Sequence, residues 1–433
     1  MSKLTNFLNY FKMNESNSHP HLNTRMKFLV YSISAFGTAA RFIGRMFIEL
    51  YAVIIDSSST ALAMITALRN LIQLALQSSF GRISDFLGRK ILILIGLFGA
   101  GISLALFPLI HNQWVLVGGV VIFSICFACF SPAFTALLGD LTDRKNRASL
   151  LSLVTMLGAI ASFIGLIIVG ELSKFGENEH LQYTIILEAS AALFIITGIF
   201  GVLLIDPPTE KLEDKSVLSL TPLKENRNFR NFVIVGSLMG FSMSLGWPIF
   251  PQVRGNFASA QENTWIWASF SISMILILII TKPFIDRIKR KWALFIGRAV
   301  MFFIPLNLAV TILWVPYWWH MAIGAAVSGS GNAFYMVAES AYALDSASEK
   351  EKGTYTGLFY LFLGLATFMG SLISGILADI TEKILGNWEL TIVIFLWIIT
   401  GFRFTSSLGF IFLKEPQAVE HVWETVKINN TKE

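Results

Sequence analysis

Stretches of about 20 almost uninterrupted apolar residues recur along this chain, each long enough to cross a hydrocarbon layer of roughly 30 Å as a helix. Twelve can be marked off, at residues 28–54, 60–80, 91–111, 114–138, 149–172, 183–205, 231–252, 264–284, 292–315, 318–340, 354–380 and 388–413. Inside a bilayer no water satisfies backbone N–H and C=O groups, so such segments fold as helices. The composition agrees: 54% of residues are hydrophobic and only 14% charged, against roughly 25% charged in soluble globular domains. The expected fold class is an all-α membrane protein with twelve transmembrane helices.

Orientation follows from the connecting segments, because Lys and Arg are retained on the cytoplasmic side. With both termini inside, 25 of the 33 Lys and Arg residues fall on inner segments. Only Lys174, Arg254 and Lys383 fall on outer loops, and Arg41, Arg45, Arg69, Arg298 and Arg403 lie within spans. The chain is thus expected to be an integral multi-pass protein of the cell membrane, inner or plasma, with both termini cytoplasmic. Residues 1–27 are polar and lack the apolar core and small-residue cleavage site of a signal peptide. They are expected to be a cytoplasmic tail. Alternatively Leu4, Phe7, Leu8 and Phe11, at helical spacing, rest on the inner leaflet.

The chain divides where Asp206-Pro207-Pro208 ends the sixth span. The expected organisation is an N-terminal tail at 1–27, a six-helix bundle at 28–205, a cytoplasmic linker at 206–230, a second six-helix bundle at 231–413 and a C-terminal tail at 414–433. Echoes about 200 residues apart support an internal duplication: Asp85 with Asp286, Ala133-Phe134 with Ala333-Phe334, and Ile-Ile-Thr-Gly at 195–198 and 398–401. Span five carries Gly158, Gly165 and Gly170, and span eleven carries Gly364, Gly370 and Gly375 at nearly the same spacing. Small residues of this kind let helices approach closely.

Between spans two and three stands a charged turn, Gly81-Arg-Ile-Ser-Asp85-Phe-Leu-Gly88-Arg89-Lys90. Gly81 allows close packing, Gly88 allows a reversal with positive φ, and Arg89 and Lys90 hold the loop at an anionic inner surface. A weaker copy, Asp286-Arg-Ile-Lys-Arg290-Lys291, follows span eight, with Lys282 and Lys289 in place of the two glycines. The turn, the twelve spans and the duplicated arrangement resemble the major facilitator superfamily over residues 25 to 415. The resemblance implies two pseudo-symmetric six-helix bundles around a central cavity that opens alternately to each side. It implies that Asp85 faces the start of span eleven near Gly353 and Thr354, where a carboxylate meets a helix's positive end. Arg89 then pairs with Asp140 or Asp143, which completes a conformational latch. The plainer alternative is that these charges set only topology and solubility. The resemblance also places spans one, two, four, five, seven, eight, ten and eleven around the cavity, with three, six, nine and twelve outside, favouring Arg41 and Arg69 over Arg298 and Arg403.

Ionisable residues at membrane depth are costly unless paired or hydrated, so they mark candidate sites. Arg41, Arg45 and Glu49 fall on one face of span one, Arg69 lies at similar depth in span two, and Glu188 enters the outer half of span six. Two readings stand side by side. In one, Arg41, Arg45 and Arg69 bind an anionic substrate, with Glu49 or Glu188 as a proton-responsive partner. In the other, Arg45 with Glu49 and Arg69 with Glu188 are structural ion pairs. Trp247-Pro248 breaks span seven near its outer end and offers a mobile gate. Trp265 and Trp267 are either an aromatic wall or interface anchors. Asn332, Tyr335 and Glu339 form a polar stripe on span ten. The candidates are therefore Arg41, Arg45, Arg69, Trp247, Asn332 and Tyr335 for substrate, and Glu49, Glu188 and Glu339 for proton coupling.

Other chemistry finds little support. The sequence contains no nucleotide-binding Gly-x-x-x-x-Gly-Lys-Ser/Thr loop and no His-Glu-x-x-His motif, which speaks against an enzyme or an ATP-driven pump. Cys126 and Cys129 read as core residues rather than a metal site. No cofactor, metal or nucleic acid is expected; the expected partners are a small-molecule substrate, protons and membrane lipids, and the resemblance implies a monomer. Span five lacks the Gly-Pro element typical of drug antiporters, Asp206-Pro-Pro-Thr and Lys414-Glu-Pro-Gln depart from the sugar-porter signatures, and the Glu-x-x-Glu-Arg pattern of peptide transporters is missing from span one. The expected function is secondary transport of a small organic, in one reading anionic, solute by proton-coupled export or exchange. The alternatives are uptake of a neutral solute such as a sugar or nucleoside, and a membrane receptor that has lost transport.

Overall fold

The computed structural model describes residues 24–141, 144–205, 220–281, 288–346 and 352–415. Every regular element among them is helical. The first half comprises α1 (Thr24–Ile54), α2 (Ser59–Leu87), α3 (Arg89–Leu106), α4 (Gln113–Asp140), α5 (Arg144–Ser173) and α6 (Glu179–Val202). The second comprises α7a (Arg227–Ser244), α7b (Phe250–Phe257), α8 (Ala260–Thr281), α9a (Arg290–Ala299), α9b (Phe303–Leu313), α10 (Trp318–Asp345), α11 (Lys352–Leu385) and α12 (Trp388–Leu408). Taking α7 and α9 as broken rods, the helices follow the order of the twelve apolar stretches.

Short polar turns fix the helix ends. Asn112, Asn178, Asn226 and Asn387 each accept hydrogen bonds from first-turn N–H groups of the helix that follows, and Ser58 does the same for α2, satisfying donors that a helix cannot satisfy internally. The cap at Asn178 starts α6 four residues before the sequence-expected position. Between α2 and α3 the reversal takes a single residue, Gly88, at φ +92°, a backbone region that glycine occupies without a Cβ penalty.

Among the described residues, nine helices are long and apolar enough to cross a membrane. The three rods that fall short, α1, α7 and α10, do so for physical reasons. Arg41, Arg45 and Glu49 interrupt α1. In α7 the rod breaks at Gly246-Trp247-Pro248, because Pro248 has no N–H to give to Ser244, whose carbonyl takes the N–H of Trp247 instead. The third, α10, carries small and polar residues such as Ser328, Ser330 and Asn332.

Helix packing repeats between the halves. Helix α1 packs on α5 and α6, α2 on α4, and α3 on α4 and α6; correspondingly α7a packs on α11 and α12, α8 on α10, and α9 on α10 and α12. The halves meet along two seams, α2 with α11 and α5 with α8, and α7b leans on α1. These seams are copies of one another. A Cβ on Gly375 would lie 2.4 Å from the Ala63 Cβ and 2.5 Å from the Ser59 carbonyl oxygen, and a Cβ on Gly170 would lie 2.1 Å from the Thr264 hydroxyl. Moving from one seam to the other displaces both partners equally, from 59 to 264 and from 170 to 375. Most of the core of the first half is one apolar cluster, whereas that of the second half is split into two, on either side of the breaks in α7 and α9.

Helix α1 begins and α12 ends at the same face of the bundle, here called the terminal face; α2 and α12 begin at the opposite, far face.

Candidate substrate cavity

A cavity of about 340 Å³ lies between the halves. The first half contributes Phe42, Arg45, Met46 and Glu49 from α1 and Arg69 from α2. The second contributes residues of α7a, α7b, α8, α9, α10 and α12, including Trp247, Arg254, Trp267, Asn307, Asn332 and Arg403. The expectation that rods nine and twelve stand outside thus needs correction. The breaks at Pro248 and around Val300–Phe302 thin the wall there and admit α12.

Arg69, only 1% exposed, donates to Glu49 at 2.6 Å and to the Arg45 carbonyl at 3.4 Å. This is the ion pair that the sequence assigned otherwise: Glu49 reaches across to α2 instead of one turn back to Arg45. Glu188 is exposed on α6, since the buried face of that helix runs through Tyr183, Leu187, Ser190 and Phe194. Arg45 has no hydrogen-bond acceptor and no carboxylate partner among the described residues, and its Nε is buried.

Arg254, read from the sequence as an outer-loop residue, is 8% exposed. It stands on α7b, donates to the Phe250 carbonyl at 3.4 Å and lies 4.5 Å from the centroid of the Trp267 ring. The eight-residue helix after the Pro248 break turns it inward. Arg403 is fully buried and donates to the carbonyls of Met243 at 2.7 Å and Met301 at 3.1 Å. Both carbonyls lack the N–H four residues on, and Met243 keeps only a long 3.4 Å bond from Gly246. Four residues after Met301 stands Pro305, which has no N–H, and the N–H of Trp247 has turned to Ser244. Arg403 is therefore a bolt across two broken helices.

The structure brings Arg45, Glu49, Arg69, Trp247 and Asn332 together and leaves the other candidates apart. Arg41 lies against the Phe127 ring at 4.7 Å, facing α4. Tyr335 donates to Glu339 at 2.6 Å beneath Arg298, whose guanidinium lies 3.3 Å from the ring centroid; this buried cluster does not line the cavity. Trp267 lines it, whereas Trp265 is 38% exposed. Cys126 packs against Gly99.

At the far face hydrogen bonds tie the two halves together. Asp379, near the end of α11, accepts the first N–H groups of α2, from Ser59 at 2.8 Å and Thr60 at 2.9 Å. Thr66 and Ser371 share a hydrogen bond of 2.8 Å about two turns deeper. Trp388 donates to Gln252, which donates to Ser59, tying α12, α7b and α2. Sequence reasoning missed Asp379, because an acid near a span end looks like an ordinary surface charge.

The charged turn expected to form a latch is described only in part. Arg89 is buried and donates to the Ser84 hydroxyl, and Lys90 opens α3 beside it. The surroundings of Gly81 and Gly353, the side chains of Asp85, Asp140 and Thr354, the whole of Asp143 and Asp286, and residues 1–23 lie outside the described residues. In the second copy of the turn, the first N–H groups of α9a, from Arg290 and Lys291, go to Glu415 at 3.1 Å, a contact within one half.

Comparison with known proteins agrees with this architecture. A sequence profile described as Major Facilitator Superfamily matches residues 28–244 and 232–422. The uncharacterised MFS-type transporter YqjV of Bacillus subtilis is 24% identical over 365 residues, covering 80% of this chain and 84% of its own. The quinolone resistance protein NorA of Staphylococcus aureus is 24% identical over 326 residues, covering 74% and 81%. Among solved structures, a mutant of the nucleoside transporter NupG superposes with a TM-score of 0.74 at 15% identity, covering 90% of this chain and all of the other. An inward-facing, unoccupied bacterial homologue of the lysosomal transporter Spinster gives 0.68 at 14%, covering 90% and 98%. With the profile matched on both halves and the duplicated helix packing in place, the chain belongs to the Major Facilitator Superfamily, as an integral membrane transporter.

Proposed function

We propose that this protein carries a small organic anion across the cell membrane by alternating access, as proton-coupled export or exchange. One observation carries the reading: the cavity between the halves is lined by four arginines that share a single glutamate, and that glutamate, Glu49, is paired at 2.6 Å with Arg69, so Arg45 and Arg254 are left without an ion pair among the described residues. Buried cations that outnumber their counter-ions are costly in a low-dielectric setting, so this lining favours an anion. Relatives named for quinolone and tetracycline resistance support outward movement, although span five lacks the Gly-Pro element.

In this reading the terminal face, with its excess of Lys and Arg, is cytoplasmic, and residues 28–205 and 231–413 are the rocking halves joined by the linker at 206–230, in a monomer. Asp379 on the N-terminus of α2 holds the outer end shut, since a carboxylate stabilises a helix N-terminus. The turn at Gly81, Asp85, Gly88, Arg89 and Lys90, with Asp140 or Asp143, holds the inner end in the opposite state. Glu49 is the coupling acid: protonation releases Arg69, which then serves the substrate. Glu188 and Glu339, away from the cavity, have no part in it. Asn307, Ser328 and Asn332 on the wall support a second reading, uptake of a neutral polar solute.

The test is exchange in proteoliposomes preloaded with organic anions or with nucleosides and sugars, at two pH gradients. Anion exchange that responds to the gradient and disappears in Glu49→Gln supports the proposal. Exchange of neutral solutes only, with Arg45→Gln unimpaired, would replace it with the second reading.

A further inference from the structure

The cavity wall is specific in more than its charge. Five buried side-chain N–H donors among the described residues lack an acceptor, Nε of Arg45, Arg69, Arg298 and Arg403 and Nε1 of Trp267, and four of the five belong to residues that line the cavity. The other partnerless buried side-chain atoms among the described residues are scattered, the hydroxyls of Ser57, Ser237, Ser242 and Thr356 and Oδ1 of Asn263, so the cavity wall is where unmet N–H donors concentrate. The four guanidiniums of this wall call for a ligand that offers acceptors and carries negative charge.

The remainder of the wall is apolar and largely aromatic. Trp267 is its centre: Phe42 meets it edge-on at 6.0 Å from the first half, Phe270 at 5.8 Å from its own helix, and the Arg254 guanidinium lies over it at 4.5 Å. Trp247 and Phe250 belong to the same wall, as do four methionines, Met46, Met243, Met301 and Met321. Flat rings stack favourably on such surfaces, and flexible thioethers adapt to rings of different outline. A multiply charged phosphate needs more donors than two free guanidiniums and a few amides supply. A simple inorganic anion leaves the aromatic surface unused.

Resting on the anion reading above, we infer that the substrate class is aromatic carboxylates. The carboxylate sits between Arg45 of α1 and Arg254 of α7b, and the ring lies in the aromatic wall around Trp267. The two guanidiniums come from opposite halves, on helices that lean on one another where Gly255 meets Val53. Arg254 stands beside that contact and Arg45 about two turns deeper on α1, so a ligand that engages both spans the halves, which couples ligand binding to their approach. Charge-assisted hydrogen bonds to both arginines fix the carboxylate, and the cavity volume of about 340 Å³ suits one or two fused rings, at the small end of ligand pockets.

The experiment measures binding to the purified full-length protein in detergent, by thermal shift and by intrinsic tryptophan fluorescence. The probes are 1-naphthoate, cyclohexanecarboxylate and the neutral 1-naphthalenemethanol. The expected result is that 1-naphthoate raises the melting temperature and quenches fluorescence, binding at least about tenfold tighter than either comparator. Arg45→Gln and Arg254→Gln each weaken it roughly tenfold or more, as loss of a charge-assisted bond does. Trp267→Leu abolishes the preference for the aromatic acid, whereas Trp267→Phe keeps it. Equal binding of both acids, dependent on Arg45, would overturn the aromatic assignment and leave the anion reading standing. Binding of naphthalenemethanol alone, or of no acid at all, would overturn both. The wild-type ligand series decides these outcomes even if a variant fails to fold.

Discussion

The two seams between the halves occupy matching positions yet are built differently. At α5–α8, Gly170 sits against the Thr264 side chain; at α2–α11, Gly375 sits against the Ser59 backbone. One turn beyond Gly375, Asp379 seats its carboxylate on the α2 N-terminus. At the matching place beyond Gly170 stands Lys174, which pairs at 2.7 Å with Glu171 in solvent, while Gln261 donates to the other Glu171 oxygen. An exposed pair of this kind contributes about 0–1 kcal/mol. One seam is therefore a hinge of close-packed helices and the other a hinge with a lock.

The largest effect is expected at the glycine of the locked seam. A methyl on Gly375 meets backbone that cannot turn aside, so Gly375→Ala should cost the outer-closed state about 1–3 kcal/mol, read as a lowered melting temperature and as greater labelling of outer-face cysteines by an impermeant reagent. Next comes the lock itself. Asp379→Asn keeps the shape and removes the charge on the helix terminus, and the closed population should fall by up to about 2 kcal/mol with the protein still folded. Gly170→Ala is expected to be milder than its twin, because the Thr264 side chain can rotate away. Gln261→Leu should be the smallest change, within about 0.5 kcal/mol. If Gly170→Ala and Gly375→Ala proved equally costly, the seams would be equivalent and the distinction would be lost.

The order of the helices was legible because apolar length is written directly into the chain, and so was the duplication, down to the spacing of Gly170 and Gly375. The site was legible only in part. Arg45, Glu49 and Arg69 could be found as charges at membrane depth, but their pairing is a contact between helices that periodicity along one helix does not reveal. Arg254 hid behind Pro248, since a short helix after a break reads as a loop. Arg403 had a signal that went unused. Pro248 and Pro305 each release a carbonyl or redirect a neighbouring N–H, and a buried arginine on a nearby helix answers that need. The three rods that read least well as membrane spans, α1, α7 and α10, all line the cavity, because the residues that make a site are those that spoil an apolar stretch.

The most direct test of the lock is the distance between spin labels at positions 57 and 383, at the far-face ends of α2 and α11, after Cys126 and Cys129 are replaced by alanine. Distributions would be measured by double electron–electron resonance in wild type and in Asp379→Asn. The account predicts a predominantly short separation in wild type and a new, longer population in the variant. An unchanged distribution in Asp379→Asn would contradict it, because the outer end would then be held shut without the carboxylate.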